Sequence, residues 1–313
     1  MLRLILRRLL ISVPLVFLVS LLTFLLQALA PGDTARTILG NTYTPEGYAQ
    51  LRQQLGLDEP LLTQYWHWLS GALHGDLGVS PISGLDVGEQ ITTRLGVTLS
   101  LIVWCTVLAA VVGVTLGVVS AVRGGALGRL VDALSLVGFA VPVFWFGLVL
   151  VTVFAVTLRL LPATGYVDPA TSLSGWAQSM VLPVVALALA PAAVIAKQTR
   201  DGMLDALGRD FVHSLRANGA SERSIVFRHA LRNAAIPVVT VIGLVFVGML
   251  TGTVLVESVF AMPGLGGLAV QSTVQHDLPM IQGVAVTFTV VVVLVNLLVD
   301  IAYGWLNPKV RAS

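Results

Sequence analysis

The chain has 313 residues, of which 56% are apolar and only 11% charged, with a mean hydropathy of +0.89 and a formal net charge of +2. Soluble domains carry roughly 25% charged residues, and a chain with less than half of that cannot cover a water-facing surface. An integral membrane protein is the class that remains. The single cysteine, Cys105, excludes an intrachain disulfide. The five histidines, His67, His74, His213, His229 and His276, show no metal-ligand spacing.

A helix needs about 20 mostly apolar residues to cross a hydrocarbon core of about 30 Å. Taken in chain order, six segments meet that length, near Leu9–Ala30, Val97–Val122, Leu130–Val156, Trp176–Ala196, Ala235–Val256 and Ile281–Tyr303. The alternating strands of a barrel are absent from the sequence, so an all-α membrane protein with six transmembrane helices is expected. The first segment follows Arg3, Arg7 and Arg8 and ends in Ala28-Leu29-Ala30, which also fits a signal peptide with its cleavage site. Its apolar run from Leu9 to Leu26 exceeds the usual signal core, and a retained helix is expected.

Between the first and second spans, Pro31–Gly96 is polar, with helical patches at Glu46–Gly56 and Leu61–Leu73. Its aromatic cluster Tyr65, Trp66 and Trp68 reads either as an interfacial belt or as a contact for a solute-delivering protein. Gly113 with Gly117, and Gly248 with Gly252, are small-residue pairs that allow close helix approach, within the chain or across to another. The fourth span carries Pro183 and Pro191, which fit a simple kink or a helix interrupted beside a solute path.

Arginine and lysine orient the spans. With the N-terminus inside, the cytoplasmic side receives Arg3, Arg7, Arg8, Arg123, Arg129, Lys197, Arg200, Arg209, Arg216, Arg223, Arg228, Arg232, Lys309 and Arg311, against Arg36, Arg52, Arg94 and Arg159 outside. The positive-inside rule then predicts both termini in the cytoplasm. The expected organisation is a first span at 1–30, an external region with short helices at 31–96, and a five-helix core at 97–306. That core contains a cytoplasmic loop at 198–234, and 307–313 form a cytoplasmic tail.

What is missing narrows the function. The two lysines, Lys197 and Lys309, are followed by Gln198 and Val310, so no phosphate-cradling G-x-x-x-x-G-K-[ST] loop exists in the chain. Neither H-E-x-x-H nor G-x-S-x-G occurs, which argues against intramembrane hydrolysis. Acids in the spans are few, with Asp132, Glu257 and Asp300 near span ends. An ion-coupled secondary carrier, the rival class, would bury several near the bilayer centre.

The loop from Lys197 to Pro237 has its own pattern. Leu204, Leu207, Phe211 and Leu215 recur at helical spacing, Gly219 breaks the run, and Ser221-Glu222 fit the cap and first turn of a second helix with Ile225, Val226 and Arg228. Pro237 is expected to start the next span. Such an amphipathic projection fits either a partner surface or anionic lipid at the interface.

The segment "DFVHSLRANGASERSIVFRHALRNAAIPVVTVIG" resembles the EAA loop of ABC importer permeases, in the version found in the dipeptide, oligopeptide and nickel uptake branch. Gly219 matches the loop glycine, and Asp210, Arg216, Ala217, Arg228, His229, Leu231, Arg232, Asn233 and Pro237 match flanking positions. The E-A-A positions themselves read His213-Ser214-Leu215, a departure from the pattern. Further matches are Pro31-Gly32-Asp33, the run Gly75 to Gly78, the set Glu257, Phe260, Pro263, Gly264 and Gly266, and the C-terminal Asp300, Tyr303, Pro308 and Arg311.

The resemblance implies a type I importer permease in the bacterial cytoplasmic membrane, taking up di- or oligopeptides. Nickel chelates, glutathione or oligosaccharides are the alternative solutes. It implies that Ala217, Asn218, Gly219, Ala220, Ser221, Glu222, Arg223 and Arg228 couple the spans to an ATPase. It further implies a homologous second permease, two ATP-binding subunits and an external solute-binding protein as partners. No cofactor is expected on this chain; ATP and Mg would be held by the partner ATPase subunits.

Overall fold

A computed structural model describes residues 2–306; Met1 and the tail at 307–313, with Pro308, Lys309 and Arg311, lie outside the described residues. Among the described residues the secondary structure is helical, apart from one isolated antiparallel bridge between Val79 and Asp86. Lipid supplies no hydrogen-bond partners, so backbone amides in the apolar stretches pair within their own helix.

The elements are α1 (Leu2–Leu29), α2 (Thr34–Leu39), α3 (Pro45–Gln54), α4 (Leu61–Leu73), α5 (Val87–Arg123), α6 (Gly125–Ala140), α7 (Val143–Leu150), α8 (Leu173–Leu207), α9 (Asp210–Ala217), α10 (Glu222–Ser224), α11 (Leu231–Val259), α12 (Leu265–Gln275) and α13 (Leu278–Leu306). Five stretches are long and apolar enough to cross a membrane: Ile5–Leu29, Val87–Arg123, Leu173–Leu207, Glu222–Val259 and Leu278–Tyr303.

The third expected span differs from the reading of a single helix. It is a pair, Gly128–Ala140 and Val143–Thr157, bent by 98° at Pro142. The residue before proline is pushed out of the helical region, and Val141 is extended at φ −75° and ψ 122°. Beyond the bend, α7 runs into a π-helical turn at Val151–Thr157. Pro14, Pro183, Pro191 and Pro237, by contrast, lie inside continuous helices.

The chain divides into two compact units, one of Leu99–Met262 with the segment from Val295 onward, the other of Leu2–Thr98 with Pro263–Leu294. In the first, α8 is the hub and packs on α6, α7 and α11. It also meets α5 at very short range. A Cβ on Gly113 would lie 2.8 Å from the Ala192 carbonyl oxygen, and one on Gly117 would lie 2.6 Å from that of Ala196 and 2.6 Å from Thr199 Cβ. This pair therefore serves packing within the chain. In the other pair, Gly252 faces Leu187 and Gly248 faces open space. Arg200 of α8 donates to both carboxylate oxygens of Asp132 on α6 at 2.6 Å, and Ser135 donates to the Ala193 carbonyl at 3.2 Å.

The second unit buries Val87, Ile91, Leu265, Leu268, Met280 and Val284 together. Polar ties close its loops. Asp33 accepts from Tyr48 at 2.5 Å, from Arg52 at 2.6 Å and from the Arg36 amide at 2.8 Å. Burial alone would raise this carboxyl, but those three donors outweigh it and hold it below the usual range. The buried Asp277 accepts from Ser80 and caps the Met280 amide. There burial outweighs both bonds and pushes the carboxyl up.

Gly117→Val should cost about 1–3 kcal/mol, the usual penalty of overpacking, and lower the thermal midpoint in detergent, whereas Gly248→Ala should move it little. The depressed Asp33 contributes stability above the ordinary carboxylate pKa of about 4, which is lost as pH falls through its lower folded value. Hydrogen exchange in α2 and α3 should therefore quicken in acid, and Asp33→Asn should show fast exchange already at neutral pH with a flatter acid response.

Candidate functional site

The basic segment between the fourth and fifth spans is a built corner. α8 does not end at Ala196 with the apolar run but continues to Leu207, because Met203 and Ala206 keep a buried face. The periodic run Leu204–Leu215 is two helices rather than one: Gly208 caps α8 and Arg209 is extended before α9.

The end of α9 shows why glycine stands at 219. Its φ is +78°, a left-handed conformation that costs an L-side chain roughly 1–2 kcal/mol. From that geometry the Gly219 amide bonds the Arg216 carbonyl at 3.0 Å and the Ala220 amide bonds that of Leu215 at 3.0 Å. This is the paired-bond helix stop in which two orphan carbonyls are satisfied at once. Asn218 is the cap residue, its amide bonding Ser214. Ser221 then caps α10, its hydroxyl accepting the Ser224 amide at 3.4 Å. Across the turn, Arg216 grips Glu222 through Nε at 2.7 Å and a terminal nitrogen at 3.2 Å.

α10 passes through a π-helical turn, Ile225–Ala230, into α11, so that Pro237 lies inside the helix instead of starting it. The underside of this segment is locked down. Val226 and Ala230 pack with Val118 and Ala121 of α5, Met203 and Ala206 of α8, and Ala234. Val212 and Ile225 are wholly buried too. The outer side is open: Ala217, Asn218, Gly219, Ser221, Glu222, Arg223 and Arg228 are exposed and Ala220 is half-buried. The eight residues anticipated for coupling thus lie on one short, doubly capped segment. Of the His213-Ser214-Leu215 turn, the first two are exposed and Leu215 is half-buried.

Phe227 was not anticipated. It is 60% exposed between the buried Val226 and the exposed Arg228. The signal lay in the helical offset from Arg223 to Phe227, four residues apart and so on one face, obscured by the apolar run Ile225-Val226-Phe227.

The other anticipated set lies elsewhere in the chain and is mostly interior. Glu257 and Phe260 are 1% and 2% exposed near the end of α11. The Phe260 ring fills the space beside Gly147 of α7, and its carbonyl accepts the Gly165 amide at 2.8 Å. Ala261, at φ +51°, turns the chain. In the second unit, Pro263 leads into Gly264, the cap residue of α12, and the Leu265 amide is satisfied by Thr98 Oγ1 at 2.8 Å beside the buried Gly266.

The structure is that of a helical membrane protein with a capped, cation-bearing corner between two spans, and comparison with known proteins gives its family. Residues 113–312 match the binding-protein-dependent transport system inner membrane component, and residues 1–102 match the N-terminal part of the same membrane components. Similar relatives include a probable peptide ABC transporter permease protein of Sinorhizobium fredii, 42% identical over 98% of each chain. The dipeptide transport system permease protein of Escherichia coli K12 is 38% identical over 99% of each, and a putative peptide transport system permease protein of Brucella abortus 40% over 98% of each. The chain belongs to the family of binding-protein-dependent inner membrane components, the ABC transporter permeases.

If the Arg216–Glu222 pair holds the corner, Arg216→Gln and Glu222→Gln should each speed exchange of the Gly219 and Ala220 amides, and the double variant should add nothing further. Both groups are exposed, so high salt should blunt the difference.

Proposed function

We propose that this chain is one of two homologous permease subunits of an importer for di- or oligopeptides, driven by ATP hydrolysis on two separate subunits. Both termini face the cytoplasm, 31–96 face outward, and a solute-binding protein delivers cargo to that side. ATP and Mg act on the ATPase subunits, which dock on the exposed rim from Ala217 to Arg228. The names of the full-length relatives support peptides as the cargo. The charge asymmetry supports the orientation, with most cations on the side of the Arg209–Arg232 corner.

The observation that carries the coupling role is the two-sided build of the corner. Its outer rim carries Arg223, Phe227 and Arg228, while its underside is packed on the ends of α5 and α8. A push on the rim is therefore delivered to two spans at once. Docking can drive a transition only if the rim binds one state of the permease better than the other, because equal affinity shifts no equilibrium.

Gly219→Val tests the role. The left-handed position is strained by roughly 1–2 kcal/mol for any side chain, more when β-branched, about tenfold in an equilibrium. The variant should reach the membrane at normal levels, yet peptide uptake in cells should fall about tenfold or more. Unchanged uptake would remove the coupling role.

A further inference from the structure

Helix α4 belongs by sequence to the polar stretch between the first two spans, yet it does not sit beyond the end of α1. The Tyr65 ring packs on Phe17 and Phe24 at centroid distances of 6.1 and 5.5 Å, and its hydroxyl bonds Ser20 Oγ at 2.8 Å. Gln282 of α13 donates to the Ser20 carbonyl at 3.1 Å, which joins three helices at one buried point. The apolar run of α1 ends at Leu26 and is followed by Gln27. Ser20 lies seven residues before Gln27, and at 1.5 Å per residue the junction is roughly 10 Å inside the end of that run.

The faces of α4 sort by helical offset. Tyr65, Trp68 and Ala72, spaced three and four apart, are the buried or half-buried side. Thr63, His67, Ser70 and His74 form a polar stripe. Leu62, Trp66, Leu69 and Leu73 form a third, apolar stripe, with Leu62, Trp66 and Leu73 exposed to 74%, 62% and 74% and Leu69 half-buried. On α1 the exposed Leu18, Leu22 and Leu26 bracket the same depth. The open apolar stripe thus continues the lipid-facing surface of a membrane span.

We propose that α4 is a membrane-embedded helix, lying alongside the C-terminal half of α1 with the stripe Leu62-Trp66-Leu69-Leu73 in contact with acyl chains and the His67 stripe turned toward water. The apolar face of an interfacial helix sinks about 5–10 Å below the headgroup boundary, which matches the depth of the Ser20 junction. Lipid is the occupant because the stripe shares that depth with the exposed leucines of α1. On this view the region at 31–96 is pinned to the bilayer at its middle, and the polar helices α2 and α3 stand above that anchor. The leaflet concerned depends on the orientation proposed above, whereas the depth does not.

The test is spin-label accessibility in the full-length chain in lipid nanodiscs, with single cysteines at Leu62, Trp66 and Leu73, and the parent chain setting the background from the buried Cys105. Leu22→Cys on α1 is the lipid reference and Glu46→Cys, exposed at the start of α3, the water reference. Labels at all three stripe positions should collide with oxygen and be shielded from a water-soluble nickel chelate, as at 22, while His67→Cys should be open to the chelate, as at 46. Chelate access at 62, 66 and 73 equal to that at 46 would overturn the proposal. So would shielding from both reagents, since the stripe would then be covered by protein. Reaction of the 46 thiol with an impermeant reagent in intact spheroplasts reports the orientation separately, so the two readings can fail independently.

Discussion

The contact between α5 and α8 at Gly113 and Gly117 is the one on which the corner at Gly219 depends. Helices in lipid gain nothing from hiding apolar surface from one another, since the tails are as apolar as leucine. What remains is close van der Waals packing and a few polar ties. The two glycines bring α5 within reach of the α8 backbone, and the Asp132–Arg200 pair fastens α6 to the same helix. Just beyond that contact, Val118 and Ala121 on α5 and Met203 and Ala206 on α8 form the floor on which Val226 and Ala230 rest. The segment is thereby seated on two spans and not held only by its ends.

A second constraint is the supply of backbone partners at corners. The Gly219 turn uses a left-handed residue to satisfy two carbonyls, and Ser221 accepts an amide at the next helix start. Thr98 does the same for Leu265, and Asp277 for Met280. Thr98 and Asp277 are buried where a helix begins, and an unsatisfied amide there would cost several kcal/mol. Asp277 carries the consequence: the burial that makes it useful also raises its carboxyl.

Prolines show how far local rules reach. Pro142 breaks its span by 98° while Pro183, Pro191 and Pro237 do not break theirs. Each removes one backbone bond and disfavours helix at the residue before it. α8, which packs on α6, α7 and α11, runs on through both of its prolines, whereas Val141 takes the extended conformation and α7 leaves in a new direction.

The sequence alone determined the solvent, the class and the helical nature of the chain, because hydropathy over about 20 residues is a local sum. It also marked the corner at Gly219, since Gly219 and Ser221 are local signals for a helix stop and a helix start, and it placed α3 and α4 to within a few residues. Tertiary structure decided the rest. It carried α8 on to Leu207 through a face that only neighbouring helices bury, and it ran α10 and α11 together through Pro237. It turned Phe227 outward from an apolar run, and it set α4 against the middle of α1. Each of those outcomes rests on a contact between residues far apart in the chain, such as Tyr65 with Ser20 or Val226 with Met203, and no local pattern encodes a partner more than twenty residues away.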